Sequence, residues 1–461
     1  MNHFQLRHKI LSEKIPDISV LLFSGAALSR NYPANTYPFR AQSHFLYLAG
    51  VCPEGTYFLL HEGKAELFVP EVTLDDIVWS GMPERTEVIA ERSGCAVRPL
   101  SELAGRLREI PAGRLASLPH SEASQNQILS GRLGRLPSLE NAADRKLALA
   151  VIDMRLHNDE AARGELRRAC ELTVLSHKLG LTALKAYNKY GGSCTEADIN
   201  AAMLSPVIRY GGYVSFNPII TISGEPLNQV KLGENLKPGR LLLVDFGFES
   251  ASGWAGDVTN TWPVDGRYSK KQASIYNICL KAHKECAAML KPGEEWTGVH
   301  AKALEVIAEG LQEIGILKGG SPEEYLEDNV ISLFMPHGIG HLMGLDVHDM
   351  EDLGDLAGYA PGRERSKKFG WSCLRLNRPL AEGMAVTVEP GIYFIPELFD
   401  RPEFADSVRK YVDREKLAEY MEVHGVRIER DYLITAGGSE LLTREIPTEI
   451  SEIEEFMEKE L

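Results

Sequence analysis

A chain of 461 residues is too long for one ordinary hydrophobic core and predicts two or three domains. Its hydrophobic share of 44% and charged share of 25% are those of a folded soluble protein, and no apolar run approaches the ~20 residues that span a bilayer, so no membrane anchor is expected. A formal charge of −15 with dispersed Lys and Arg works against a nucleic-acid partner, because the polyanion would be repelled. The opening Met1 to His8 lacks the basic, apolar, small-residue order of a secretory signal, and the seven cysteines include no Cys-x-x-Cys pair. A reducing, cytoplasmic compartment is expected, with neither a disulfide framework nor a thiolate zinc site.

In chain order, the N-terminal part reads as mixed α and β. Ile18 to Ser24 has the continuous apolar character of a buried strand, and Tyr57 to Leu60 and Ala65 to Val69 flank His61-Glu-Gly-Lys64 as a hairpin. From about Leu115 to Asn141 the chain turns rich in Ser, Gly, Asn and Pro, and a helical stretch through Arg155 to His177 follows. The boundary is placed near residue 155, giving domains 1–154 and 155–461. Ser269-Lys-Lys-Gln272 matches a capping box opening a helix to about Leu290, and a further helix is predicted from about Thr297 to Ile314. With strands between these helices, the fold class is α+β, and no solenoid-period repeat interrupts it.

The strands of the second part carry acids. Leu241 to Gly247 and Trp254 to Trp262 flank a short polar turn at Ser250 to Gly253 and should pair as an antiparallel hairpin, placing Asp245 and Asp257 on neighbouring strands. Met384 to Gly391 and Val426 to Tyr432 each set one glutamate, Glu389 and Glu429, inside an apolar strand pattern. A carboxylate there is costly unless a cation or metal accompanies it, and four together repel one another. Any one of these acids taken alone is better read as facing solvent. Four such placements weaken that reading.

Three of the 13 histidines, His337, His341 and His348, fall within Met335 to Asp349. The glycines at 338, 340 and 344 disfavour a regular helix, so this is not the helical His-Glu-x-x-His zinc motif, which is absent from the chain. The glycine spacing is not that of a dinucleotide fingerprint, and Asp245-Phe-Gly247 stands without the other kinase motifs. One nitrogen ligand with four carboxylates makes a hard, oxygen-rich site that suits Mn²⁺ better than a thiolate-type zinc site does. Two ions ~3.5–4 Å apart can lower the pKa of a shared water towards neutrality and polarise a carbonyl, as hydrolysis requires.

Asp245 and Asp257 in a two-strand element, His341 in His-Gly-Ile-Gly-His, Glu389 in Thr-Val-Glu-Pro-Gly and Glu429 in Val-Arg-Ile-Glu stand in one order. In that order they resemble the pita-bread-fold metallopeptidases, specifically prolidase (Xaa-Pro dipeptidase) and aminopeptidase P, and the likeness covers nearly the whole chain. Asn31 to Gly50 is similar to the opening of that family's accessory domain. The resemblance implies a smaller α/β accessory domain followed by a pita-bread catalytic domain. It also implies hydrolysis of the peptide bond preceding proline in di- or oligopeptides, by a homodimer using two divalent ions, Mn²⁺ foremost with Co²⁺ or Zn²⁺ as alternatives.

Carried over residue by residue, the resemblance implies that Asp245 holds one ion, that His341 and Glu389 hold the other, and that Asp257 and Glu429 are shared. Glu389 is also the implied general base. His337 and His348 match histidines that contact substrate and move protons or stabilise the tetrahedral intermediate. Thr259 matches a hydroxyl behind the ligands. Arg427 matches an arginine behind the ligands and is grouped with Arg375 and Asn228 on the substrate side. Arg375, in Leu374-Arg-Leu-Asn-Arg378, resembles the prolidase arginine that grips a dipeptide's carboxylate, a task a planar guanidinium suits; a plain surface arginine is the alternative. The chain departs from the family at Asn228, where a substrate-binding histidine is usual, and at Phe216, where a tyrosine is. Asn228 motivates a second reading, a weakly active or inactive binding protein on the same fold, but all five ligand positions are filled and the enzyme is favoured.

Overall fold

The structure is a computed structural model that describes residues 1–459. The chain divides into two units, Met1–Leu156 with Met350–Ala357, and His157–Asp349 with Gly358–Leu461.

In the first unit, β1 (Ser19–Phe23), β2 (Tyr57–His61), β3 (Lys64–Val69), β4 (Ala96–Pro99) and β5 (Leu115–Ala116) form one sheet in the order β4-β3-β2-β1-β5. The expected hairpin is β2 and β3, paired antiparallel from Tyr57↔Phe68 to His61↔Lys64. Every residue of β1 is buried, and Leu21 and Phe23 join Tyr57, Leu59 and Phe68 in the core. The turn-rich span 115–141 also holds a helix, Ala123–Leu133, that its composition hides: Ser, Gly and Asn are weak helix formers, and Gln125 and Leu129 alone are buried on it. The helical stretch expected through Arg155 is interrupted. One helix ends at Leu156, and Asp159 caps the next by accepting from the Ala162 amide at 2.8 Å. The segment Met350–Ala357 belongs here through Asp352, whose carboxylate lies 3.1 Å from His44 Nε2.

The second unit packs helices against short sheets. Its four longest helices are α1 (Glu160–Tyr190), α2 (Glu196–Arg209), α3 (Lys270–Met289) and α4 (Trp296–Glu313). Ser269 and Gln272 close the capping box that opens α3, as its sequence predicts. Three antiparallel strands, β6 (Ile219–Thr221), β7 (Leu241–Phe246) and β8 (Val258–Pro263), take the order β8-β7-β6, with Asp245 opposite Thr259. Further along, β9 (Ala385–Val388) pairs with β12 (Arg430–Thr435), and β10 (Gly391–Tyr393) pairs with β11 (Gly425–Arg427), both antiparallel.

This differs from four acids inside strands. Only Asp245 lies within a ladder; Asp257 precedes β8, Glu389 follows β9, and Glu429 sits between β11 and β12. The predicted hairpin forms: β7 pairs antiparallel with β8 from Leu241↔Pro263 to Phe246↔Val258, the arms meet again at Glu249↔Ala255 past a close approach in which a Cβ on Gly247 would stand 2.0 Å from Gly256 O, and Phe248–Glu249 also pairs with Tyr213–Val214. At each break the acid's own amide bonds across to a neighbouring segment: Glu389 N to Ile339 O (2.8 Å), Glu429 N to Thr259 O (3.0 Å) and Asp257 N to an Asp431 carboxylate oxygen (3.0 Å). These ties satisfy backbone groups the ladder leaves open and knit the strand ends together.

Gly340 fits this arrangement for want of a side chain. Its φ is +155°, and a Cβ would stand 2.2 Å from the Thr387 carbonyl oxygen, while Thr387 N donates to His341 O at 3.0 Å. Gly340→Ala is expected to destabilise the protein by about 1–3 kcal/mol through backbone strain, read as a lower urea midpoint at constant slope. An unchanged midpoint would mean that the 339–342 segment can be re-laid beside β9 at no cost.

Candidate metal centre

The strand ends of the second unit surround a cleft of about 600 Å³. Asp245, Asp257, His341, Glu389 and Glu429 all line it, together with His337, His348, Arg375, Arg427 and Asn228, so every site residue read from the sequence is brought to one cavity. Its wall also includes Phe216, Leu227, Val230 and Val347.

His341 Nε2 lies 3.5 Å from Asp257 Oδ2, 3.8 Å from Glu389 Oε1 and 3.9 Å from Glu429 Oε1. Its other nitrogen, Nδ1, is 3.0 Å from the Leu342 carbonyl, which can only accept, so Nδ1 carries the proton and Nε2 offers a lone pair to the acids. Asp257, His341 and Glu429 each present one donor atom within 4.8 Å of the other two, and all three are buried. Asp245 Oδ1 and Asp257 Oδ1 are buried and have no hydrogen-bond partner. Carboxylate oxygens are not left so among protein groups unless something else engages them.

Electrostatics point the same way. Burial, and then Asp245, Asp431 and Glu389, push the Asp257 carboxyl well above its usual range. Burial, with Asp257, Glu389 and Asp245, does the same to Glu429. Burial also raises Glu389, against the opposing pull of the Arg427 charge. A divalent cation among these groups would reverse the repulsion that drives the shifts.

Behind the acids runs a continuous hydrogen-bond network. Arg427 donates to Asp245 Oδ2 (2.6 Å), to the Tyr393 hydroxyl (2.7 Å) and to Thr259 Oγ1 (3.1 Å), and Thr259 Oγ1 donates to Glu429 Oε2 (2.7 Å). With its guanidinium bonded to all three, Arg427 is held by the groups behind the acids while it also lines the cleft with Arg375 and Asn228. His337 Nδ1 lies 2.7 Å from the Gly338 carbonyl and therefore donates there, which leaves Nε2 to accept from Tyr393 Oη at 3.0 Å. Burial, then the Arg427 charge, lowers the His337 pKa to about 3, so this ring is neutral. His348 stands edge-on to His341 with ring centroids 4.3 Å apart.

Tyr393 and Asp431 escaped the sequence reading. Tyr393 sits in the apolar triplet Gly391-Ile-Tyr393 and reads as core. Asp431 accepts from the Asp257 amide and from the Cys170 thiol at 3.3 Å. Its signal was charge density, with Arg427, Glu429, Arg430 and Asp431 within five residues of a segment flanked by apolar residues.

Comparisons with known proteins give this geometry a family. Residues 164–436 match the model of metallopeptidase family M24, and residues 3–116 match the aminopeptidase P N-terminal domain. The chain belongs to metallopeptidase family M24. It is similar to a probable Xaa-Pro aminopeptidase of Fusarium vanettenii, 32% identical over 455 residues that cover 96% of this chain and 94% of that protein. Among solved structures it is similar to a glutamate-to-alanine variant of Escherichia coli aminopeptidase P in complex with substrate (TM-score 0.79, 26% identity, 98% of this chain and 97% of that one). It is also similar to proline aminopeptidase P II of Yersinia pestis (TM-score 0.78, 26% identity, 99% of each chain). The architecture is thus an aminopeptidase P-type accessory domain followed by a pita-bread catalytic domain. An inactive binding protein is not favoured. The hard oxygen donors, the correctly turned imidazole and the two unpartnered carboxylate oxygens fit a divalent metal ion.

Removing the Arg427 guanidinium would leave the Asp245 carboxylate without its cation and two hydroxyls short of a partner. Arg427→Met is expected to lower the stability of the metal-free protein by roughly 3–5 kcal/mol, measured by chemical unfolding in chelator. A loss under about 1 kcal/mol would show that the acids do not depend on this cation.

Proposed function

We propose that the chain hydrolyses the peptide bond before proline in Xaa-Pro-containing peptides, with two divalent metal ions, Mn²⁺ foremost, held by Asp245, Asp257, His341, Glu389 and Glu429. The observation that carries this reading is the pair of buried, unpartnered oxygens, Asp245 Oδ1 and Asp257 Oδ1, in a cleft that His341, Glu389 and Glu429 also line, with His341 Nε2 3.5 Å from Asp257 Oδ2. Asp245, Asp257, His341, Glu389 and Glu429 would hold the ions, Asp245 and His341 standing on different elements of the cleft wall. When bound, the ions polarise the scissile carbonyl and make a water acidic enough to attack it.

The chain's own groups do the rest. Glu389, on the cleft wall beside the other ligand positions, takes the proton of the attacking water, the role the family resemblance implies for it. His337 keeps Nδ1–H and is held by Tyr393, so it presents a neutral ring to the substrate side; His348 flanks the opposite face of His341. Arg375, on the cleft wall, receives the peptide's carboxylate when the substrate is a dipeptide. The relatives named above are aminopeptidases, which favours longer peptides with proline second. By the same resemblance the reading includes a homodimer and a cytoplasmic location.

The test is a panel of Xaa-Pro dipeptides and Xaa-Pro-Yaa tripeptides assayed before and after chelation. Cleavage on the amino side of proline should vanish with the metal and return with Mn²⁺ or Co²⁺, and Glu389→Gln should lower kcat by about 10²–10⁴-fold. Full turnover by a verified metal-free preparation would end this reading.

Asn228 gives a sharper test. A histidine can place a charge-assisted bond on developing negative charge, roughly twice as strong as a neutral amide's, and only an interaction stronger in the transition state raises kcat. Asn228→His is expected to raise kcat/KM on a good Xaa-Pro peptide by about tenfold, or ~1.4 kcal/mol, at matched metal occupancy. A loss of activity would mean that the pocket is built around asparagine and selects another substrate.

A further inference from the structure

Asn228 lies on a loop that no helix or strand supports, yet the loop forms one wall of the cleft. Residues 223–235 leave β6 and return towards β7 without regular structure, and they bring Leu227, Asn228 and Val230 to the cavity. Asn228 is exposed, and Val230 is 45% exposed. Such a segment has few buried contacts to hold it and belongs among the parts of a protein that open most readily. What holds this one is a side chain outside the cleft.

Glu196, the first residue of α2, is 1% exposed. Its Oε1 accepts the amide of Ile222 at 3.0 Å, on the outgoing stem of the loop, and its Oε2 accepts the amides of Gly233 and Glu234, each at 3.1 Å, on the returning stem. One buried carboxylate thus ties both ends of the loop by three charge-assisted bonds. The main chain adds to the returning stem alone, through Glu196 N to Glu234 O (3.1 Å) and Leu236 N to Cys194 O (2.9 Å). The outgoing stem has two further fastenings, Arg240 Nη2 donating to Ile222 O at 2.7 Å and Glu225 Oε1 with His424 Nδ1 at 2.9 Å. His424 precedes β11, the strand that ends in Arg427, and it adopts a left-handed φ of +65°. Gly224 approaches that same strand so closely that a Cβ would stand 3.0 Å from Gly425 O.

We infer that Glu196 is a positioning residue for substrate binding: its carboxylate cinches the 222–234 loop shut and thereby sets Leu227, Asn228 and Val230 against the peptide in the cleft. Glu196 touches neither metal nor substrate. The wall it sets is met by the substrate as it binds, so its loss raises KM more than it lowers kcat. The kinetic arm of this inference rests on the peptidase reading; the structural arm does not.

Glutamine is the informative replacement. Glu196→Gln keeps the shape but has one acceptor oxygen, and its amide nitrogen must face the N–H groups of one stem, so the cinch is held on one side only. Hydrogen–deuterium exchange of the full chain reads this directly. In the wild-type protein the amides of Ile222, Gly233 and Glu234 should exchange at least about tenfold more slowly than those of 227–231, and the variant should lose that protection while β7 and β8 keep theirs. With a tripeptide carrying proline second, KM should rise about tenfold and kcat should change by less than about threefold at equal metal content. Stem and tip amides that exchange alike in the wild-type protein would overturn the cinch, whatever the variant does. Unchanged loop exchange in a folded Glu196→Gln, or a loss confined to kcat, would overturn it too. If the wild-type protein cleaves no Xaa-Pro peptide, the peptidase reading falls and the exchange measurement still decides the cinch.

Discussion

Four carboxylates around one buried point cannot all be ionised without a cation among them, and much of the second unit answers to that constraint. Two unit charges 4 Å apart repel by about 4 kcal/mol at an effective dielectric constant near 20, so several such pairs would consume a typical folding stability of about 5–15 kcal/mol. Arg427 meets one of them through Asp245. Counting Asp245, Asp257, Glu389 and Glu429 as charged, Arg427 as a cation and the histidines as neutral leaves a net charge of −3. One divalent ion would bring the group to −1. The proposed pair would bring it to +1, a balance that attracts a hydroxide or a peptide carboxylate and gives the second ion a physical reason beyond family resemblance.

The same repulsion explains why the acids stand at strand ends. In the middle of a ladder, backbone amides are spent on neighbouring strands and alternate side chains point to opposite faces. At a break the amide is free to bond elsewhere, and three of these acids use it to fasten their own segment to another: Glu389 to Ile339, Glu429 to Thr259, Asp257 to Asp431. The first two of those ties are main-chain bonds whose strength does not depend on the charges, and the third ends on the Asp431 carboxylate. The Thr259 hydroxyl then links Glu429 to Arg427, and Tyr393 links Arg427 to His337, so that ligand geometry and substrate-side geometry share one network.

Most of this centre was legible in the sequence because expensive residues announce themselves. An aspartate in Leu-Leu-Leu-Val-Asp-Phe or a glutamate in Ala-Val-Thr-Val-Glu-Pro has no cheap explanation, and the capped helix at Ser269 obeys a local rule that tertiary context left alone. What could not be read was long-range. Tyr393 looks like any strand aromatic until His337 and Arg427 are seen to converge on its hydroxyl. The irregularity between Phe246 and Glu249 depends on a close approach of Gly247 to Gly256, and Tyr213–Val214 adds a further strand to Phe248–Glu249 from a distant position. The helix at Ala123–Leu133 is hidden by residues with weak propensity, and the partners of Arg427 could not be read because charge alone does not say which way a guanidinium faces.

The cleft is therefore built from two kinds of backbone. Its metal side rests on strand ends cross-tied by several main-chain bonds and a buried arginine, so replacing one ligand disturbs its neighbours through shared partners. Its wall at Leu227, Asn228 and Val230 rests on a loop whose tip makes no part of that network. A substitution at the tip can change what the wall offers a peptide while Asp245, Asp257 and His341 stay where the strands put them. That separation accounts for a chain in which every expected metal-facing residue is present and the departure at Asn228 falls on the substrate side: exposed loop positions are free to vary where positions tied into a buried charged network are not.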